Sequence, residues 1–285
     1  MEKVINCKEI AESIYKRIEL NPGEATLAVL CCTDDPASAV YMKNKEKACA
    51  RLNYGFIKYS FSPKTVSYNK VKDCIDKLNA DPEVSGIIIQ MPFEGLTKEQ
   101  LNRLVNLIDS VKDVDGFTDK NKTLLRNPTS TEFKHIPCTA KAVMDVIQAR
   151  RLQTEENNYT NGKTALVIGR SDIVGNPVTE LLKQANCTTI QANSHTSEEK
   201  LKELCKVSDI IVSCAGVKNL VGLECLWNEN VDLFIDVSIN RDENNKLVGD
   251  CDEYYKENYC RSYTSVPGGI GLLTVANLMN NLSNA

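Results

Sequence analysis

Thr164-Ala-Leu-Val-Ile-Gly169-Arg-Ser-Asp-Ile-Val-Gly175-Asn-Pro177 is the stretch whose reading decides the fold. Ala165 to Ile168 form a short apolar, β-branched run that stops at Gly169, and the pattern resumes at Gly175 and Pro177 with helical spacing through Leu181 and Leu182. This reads as a strand, a glycine turn and a helix N-terminus. Such a turn offers unpaired backbone N–H groups and the positive end of a helix dipole, so a phosphate is its natural ligand. The spacing departs from the dinucleotide fingerprint: Ser171 stands in place of the second glycine, and the last glycine comes one residue late. An ordinary strand-to-helix turn is the alternative. Arg170 suits bidentate capture of a phosphate, although a solvated surface arginine fits as well. The next strand ends Ala192-Asn193-Ser194-His195, without the acid that binds a ribose 2′-hydroxyl, which favours NADP over NAD.

Downstream, strands at 188–192, 209–214 and 231–237 alternate with helices at 176–185 and 198–206, making a Rossmann-type unit. Arg241 to Gly249 reads as a hairpin around Asn244-Asn245, and an amphipathic helix starts near Leu272. Upstream, helices (8–20, 37–52, 67–78, 98–108) alternate with strands (26–32, 55–60, 84–89), so a second mainly parallel sheet flanked by helices is expected. The expected class is therefore α/β with two domains, 1–150 and 151–271, the polar stretch 155–162 joining them and the final helix returning to the first. Residues 109–137 lack periodicity and read as a long binding loop.

The 285 residues, 42% hydrophobic and 25% charged, are enough for two buried cores. A net charge of −4 gives no footprint for nucleic acid or an anionic membrane, and the apolar runs are too short to span a bilayer. Ile10, Ala11, Ile14 and Ile18 form an amphipathic helix rather than a signal peptide, which points to the cytosol. Twelve scattered cysteines without a Cys-x-x-Cys read as reduced apolar residues, so no metal is expected.

In the first half, Tyr41 and Lys45 lie four apart on one helix face near the strand ends. A stacking ring with a proton-transferring lysine, or a packed aromatic with a solvated lysine, both fit. Gln90, Met91 and Pro92 follow a buried-strand signature; the amide either points into a ligand crevice or caps a backbone group. Asp115, in Lys112-Asp-Val-Asp-Gly-Phe117, could accept paired N–H bonds from a heterocycle, with an Asx-turn as the alternative. Pro267-Gly268-Gly269 allows close backbone approach to a ligand, or is a flexible turn.

The order of these segments resembles the bifunctional methylenetetrahydrofolate dehydrogenase/methenyltetrahydrofolate cyclohydrolase family. The matching pieces are YMKNKEKA (41–48), GIIIQMP (86–92), KDVDGF (112–117), PCTAK (137–141), GRSDIVGNP (169–177), DVSINR (236–241), KLVGD (246–250) and VPGGIGLLTVA (266–276). The resemblance implies a two-step reaction in one cleft between the domains. Hydride leaves 5,10-methylenetetrahydrofolate for the nicotinamide of NADP, and the methenyl product is hydrolysed to 10-formyltetrahydrofolate.

Carried over by position, Lys45 resembles the catalytic lysine, Gln90 its partner, Tyr41 the ring that stacks on folate and Asp115 the pterin anchor. Met91, Pro92, Pro267, Gly268 and Gly269 would complete the substrate contacts. Gly169, Arg170, Ser171, Ile173, Val174, Gly175, Ser194, Ala215, Gly216 and Ile239 would hold the cofactor, in a homodimer.

Ala140, Ser238 and Leu272 depart from the family pattern, at positions where it has proline, glycine and proline, and Asn193 and His195 flank Ser194 where it often has His-Ser followed by a basic residue. A dehydrogenase-only relative and a catalytically silent binding protein are the competing readings. The retained Lys45 and Gln90 speak against the first.

Overall fold

A computed structural model describes residues 3–33, 36–132, 135–226 and 231–285, with the backbone alone for 36–41. Its elements, in order, are α1 (Cys7–Leu20), β1 (Thr26–Cys31), α2 (Pro36–Arg51), β2 (Gly55–Ser60), α3 (Tyr68–Ala80), β3 (Gly86–Ile89), α4 (Lys98–Val105), α5 (Asp119–Leu125) and α6 (Cys138–Thr154). There follow β4 (Thr164–Ile168), α7 (Gly175–Gln184), β5 (Thr188–Ala192), α8 (Glu198–Lys206), β6 (Ile210–Ser213), α9 (Leu223–Leu226) and β7 (Leu233–Asp236). The chain closes with β8 (Asn240–Arg241), β9 (Leu247–Val248), α10 (Glu253–Tyr259), β10 (Ser262–Tyr263) and α11 (Ile270–Leu282). Two compact units result: Ser13–Cys138 with Val275–Ala285, and Met1–Glu12 with Thr139–Thr274.

The first unit holds a three-stranded parallel sheet in the order β2-β1-β3. Central β1 and neighbouring β3 are near-continuous apolar runs because both faces are covered, and Ala28, Leu30, Ile87 and Ile89 share a core with Val71, Ile75 and Leu104. Both flanking helices carry their own stop and start signals. Ser67 accepts from Lys70 N at the head of α3, and Thr97 with Gln100 forms a capping box on α4. At the tail of α3, Lys112 Nζ donates to the carbonyls of Leu78 (3.0 Å), Asn79 (2.9 Å) and Asp81 (2.6 Å). A cation on the negative end of a helix thus anchors the start of the aperiodic segment. That segment is less irregular than its sequence suggests: Thr118 caps the short helix α5, whose seven residues are too few to display a period.

The second unit is a five-stranded parallel sheet in the order β10-β7-β6-β4-β5, with an antiparallel β8-β9 hairpin beside it. The division between units falls at 138/139 and not at 150/151, so the segment 155–162 lies inside the second unit. The reason is chemical. Buried Arg150 on α6 donates to Asp232 Oδ1 (2.6 Å), and Tyr159 Oη and Lys163 Nζ donate to Asp232 Oδ2 (2.6 and 3.0 Å). Burial pushes the Asp232 carboxyl up, but these three donors outweigh it and hold the pKa below the usual carboxylate range. The N-terminal residues join this unit as well, since Val4 bridges Tyr263 in parallel. Residues 275–285 of α11 group with the first unit.

All twelve cysteines are free, and all but Cys74 and Cys214 are buried. Burial pushes the thiols of Cys7, Cys49, Cys214 and Cys260 up to about 12, so they stay protonated at neutral pH. Among the described residues no helix is long and apolar enough to cross a membrane, and no cluster of three or more His, Cys, Asp or Glu is placed to hold a metal.

Candidate active site

In the first unit, three of the expected site residues come together at the C-terminal end of the sheet. Lys45, half-buried on α2, donates from Nζ to Gln90 Oε1 at 2.7 Å. The Gln90 backbone N–H continues the ladder by donating to Leu30 O (2.8 Å), and its side-chain Nε2 donates to Met91 O (2.8 Å). With both ends of the amide engaged, only the oxygen faces the lysine, so Gln90 aims the ammonium without adding charge. Met91 and Pro92 are exposed just beyond. Tyr41 lies one turn before Lys45 on α2, and its side chain is outside the described residues.

The two aspartates of Lys112–Phe117 stand in different surroundings. Asp113 is the structural one: it is 2% exposed and accepts from Phe117 N (3.0 Å), Thr118 N (2.7 Å) and Asn121 Nδ2 (2.9 Å). Asp115 is half-buried, and burial raises its pKa while the nearby Lys45 charge pulls it down, Asp113 pushes it up and Cys138 hydrogen-bonds it. Two glycines permit this placement. A Cβ on Gly86 would meet Val114 side-chain carbons at 2.8 and 2.9 Å, and one on Gly116 (φ +73°) would lie 2.7 Å from His135 O. The bare Cα of Gly86 lets the loop lie along β3, where Ile87 N donates to Lys112 O (2.8 Å). From α11, Asn281 Nδ2 donates to Val114 O (2.9 Å) and Ile136 O (3.0 Å), holding the loop on its far side. Asn121 and Asn281 escaped the reading of the sequence; for Asn281 an asparagine within a largely apolar helical pattern was the available signal, and for Asn121, in a short polar helix, there was none.

In the second unit, the turn after β4 is built by close backbone approach. Gly169 has φ +132°, where a Cβ would strike Cys214 Sγ at 2.7 Å, and a Cβ on Gly175 would lie 2.4 Å from Gly169 O. Ser171 Oγ accepts from Val174 N (3.2 Å) and Gly175 N (3.3 Å) in place of a side-chain cap on α7. Among the described residues no protein acceptor takes the N–H groups of 170–173. A tight glycine cradle with free donors fits a phosphate. Arg170, Ser171, Ile173 and Ser194 are exposed around it and Val174 is half-buried. Gln191, which the sequence reading passed over, ties β5 to the turn by donating from Nε2 to Gly169 O and Asn176 Oδ1, both at 3.1 Å.

Ala215, Gly216 and Ile239 are exposed after β6 and β7, also at the C-terminal end of the sheet. Pro267 and Gly268 are exposed and Gly269 is buried, its missing Cβ leaving room for Ser265 O. Of the departures from the family pattern, Ala140 is buried in the first turn of α6 and Leu272 is exposed in that of α11.

Two family models match this chain: "Tetrahydrofolate dehydrogenase/cyclohydrolase, catalytic domain" over residues 5–115, and "Tetrahydrofolate dehydrogenase/cyclohydrolase, NAD(P)-binding domain" over residues 137–285. The chain belongs to the tetrahydrofolate dehydrogenase/cyclohydrolase family. It is 36% identical over 275 residues to the bifunctional protein FolD of Caldicellulosiruptor saccharolyticus, covering 96% of this chain and 94% of that one. Among solved structures it is similar to the bifunctional FolD enzyme of Campylobacter jejuni (TM-score 0.87, 30% identity, 98% and 96% of the two chains). It is also similar to the Trypanosoma brucei dehydrogenase-cyclohydrolase complexed with NADP and inhibitor (TM-score 0.86, 26% identity, 99% and 96%). Within this family the unit around Lys45 corresponds to the catalytic domain and the unit around Gly169 to the NAD(P)-binding domain.

Proposed function

We propose that this chain oxidises 5,10-methylenetetrahydrofolate with NADP and then hydrolyses the methenyl product to 10-formyltetrahydrofolate. The single observation that carries the reading is the Lys45–Gln90 pair beside Asp115, in a chain of this family. Bound NADP supplies the hydride acceptor. Its phosphates fit the Gly169–Gly175 turn, with Arg170 and Ser194 reaching the 2′-phosphate.

Asp115 accepts the N–H groups of the pterin, a bond strengthened by the low dielectric around it. Tyr41 stacks on the folate ring. Met91 and Pro92, next to Gln90, line the substrate. Loss of hydride leaves a methenyl cation, water adds to its carbon, and the C–N bond breaks once the leaving nitrogen is protonated. Lys45, aimed by Gln90, moves that proton from the added water to the nitrogen. Hydride transfer itself needs alignment rather than proton movement, so one site serves both steps. The oligomeric part of the proposal, a homodimer, rests on the family resemblance, and the cellular part, the cytosol, on the amphipathic N-terminal helix.

Protein mixed with 5,10-methylenetetrahydrofolate and either NADP or NAD tests this directly. Reduction of NADP in preference to NAD, with a methenyl absorbance that rises and then decays, is expected. A methenyl signal that accumulates without decay would reduce the reading to a dehydrogenase, and no reduced cofactor would leave a silent binding protein.

Asp115→Ala tests the substrate side. Loss of a charge-assisted hydrogen bond worth about 1.5–3 kcal/mol raises the KM for folate by about 10- to 100-fold. The Kd for NADP stays the same in a binding titration, and an unchanged folate KM would remove Asp115 from the site.

A further inference from the structure

The loop after β6 is tied down in an unusual way. Its three consecutive N–H groups all point into the protein: Ala215 N and Val217 N donate to Asp250 Oδ2 (3.0 Å) and Oδ1 (2.9 Å), and Gly216 N donates to Ser238 Oγ (3.0 Å). Ser238 in turn donates its hydroxyl proton to Asp250 Oδ2 (2.8 Å), which also accepts from Ser213 Oγ (2.6 Å), while Asn240 Nδ2 donates to Oδ1 (3.0 Å). Asp250 is fully buried, so its carboxylate is a fixed anchor with every lone pair engaged. The Gly216 N–H is the one donor of the three that the carboxylate does not reach directly. A glycine or alanine at 238 would leave it without this acceptor.

We propose that Ser238 is a positioning residue for the cofactor: its hydroxyl relays the Asp250 carboxylate to Gly216 and so sets the 214–217 loop against the nicotinamide half of NADP. The inference rests on the reading of this unit as the NADP site. Sheet order supplies the direction. With β5 on one side of β4 and β6 on the other, a dinucleotide across the β4 turn lays its adenosine half over β5 and its nicotinamide half over β6 and β7. Arg170 and Ser194 lie on the adenosine side of that division. Gly216, at φ +69° with open space around it, and Ile239, 42% exposed just after Ser238, lie on the other. Because the loop spends its N–H groups inward, it presents carbonyls and apolar atoms to the ligand. Phosphate capture is left to the Gly169–Gly175 turn.

The two halves of the cofactor therefore separate in a test. Ser238→Ala and Ser238→Gly are titrated with NADP and with adenosine 2′,5′-bisphosphate, which carries the adenosine half alone, and steady-state kinetics are recorded on the full-length protein. Both variants should weaken NADP by about five- to tenfold and raise its KM by a similar factor, the size of one buried hydrogen bond. The bisphosphate should bind as it does to the unchanged protein, the KM for folate should hold, and kcat should fall by less than the KM rises. A general loosening of the domain would weaken both ligands together. That outcome, or NADP affinity within twofold of the unchanged protein, overturns the positioning role. If the unchanged protein binds neither ligand, the NADP reading falls, and the inference with it.

Discussion

Lys45→Met abolishes the hydrolysis of methenyltetrahydrofolate and spares part of the dehydrogenase activity. The argument is one of unequal demand. Hydrolysis needs a proton carried from the added water to the leaving nitrogen, and positioned general acid–base groups contribute about 10²- to 10⁴-fold to such steps. Lys45 is the group whose Nζ is held 2.7 Å from Gln90 Oε1 and whose charge is felt by Asp115. Methionine keeps the length and apolar stem of the side chain while deleting the proton carrier, so folate should still bind. Hydride transfer then proceeds at a reduced rate and the methenyl compound accumulates. Assayed separately, the cyclohydrolase should fall by at least about 100-fold and the dehydrogenase by much less. Equal loss of both activities would sink the assignment of Lys45 to the proton step.

Lys256→Met should destabilise the NAD(P)-binding domain severely, although Lys256 itself belongs to neither candidate site. Lys256 and Asp236 are both wholly buried, with Nζ donating to Asp236 Oδ2 (3.2 Å) and to Glu253 Oε1 (2.9 Å). Burial alone would lower the Lys256 pKa, but Asp236 and Glu253 outweigh it and hold it above the usual value. Removing the ammonium strands the Asp236 carboxylate in the core, and breaking such a pair from one side costs about 3–5 kcal/mol. For a domain of this size that lowers the melting temperature by about 10 °C.

The pH dependence of that deficit checks the cause. Burial already raises the Asp236 pKa while Lys256 pulls it down, so deleting the lysine raises it further. A carboxyl with a raised folded pKa is best tolerated below its unfolded pKa, and that advantage is lost as pH rises through the folded value. The gap in melting temperature between variant and parent should therefore be smallest in acid and widen toward neutrality. A gap independent of pH would mean that lost packing, rather than the unpaired charge, is responsible. The network also braces the Pro267–Gly269 turn, because Glu253 Oε1 accepts from Val266 N (2.9 Å) at its base.

Much of this was legible from local pattern. Strands β1, β3, β4 and β6 are apolar runs ended by glycine, proline or polar residues, and a buried parallel strand admits little else. The Gly169–Gly175 turn declared itself because only glycine survives a positive φ against Cys214 and a Cβ-free contact with Gly169 O. Gln90 stood out as an amide at the mouth of a buried strand, and the side chain now engages at both ends.

Other parts were decided elsewhere in the chain. Lys112-Asp-Val-Asp-Gly-Phe117 offers two carboxylates of equal standing. Only the N–H groups of Phe117 and Thr118 and the amide of Asn121 make Asp113 the structural one and leave Asp115 outside that turn. Arg150 is tied to the second unit by Asp232, 82 residues later, an ion pair with no local signature. Asp250 and Lys256 sit in polar, turn-rich sequence with no apolar period around them, yet each is the buried hub of a hydrogen-bond network.

By itself, then, the amino-acid sequence determined the α/β class, the strand and helix order, the glycine turn after β4 and the place of Gln90 at the mouth of a buried strand. Those features follow from periodicity and backbone sterics, which act over a few residues. Only the tertiary structure decided which carboxylates are struts of the fold, because a buried charge is defined by partners that the chain brings to it from far away.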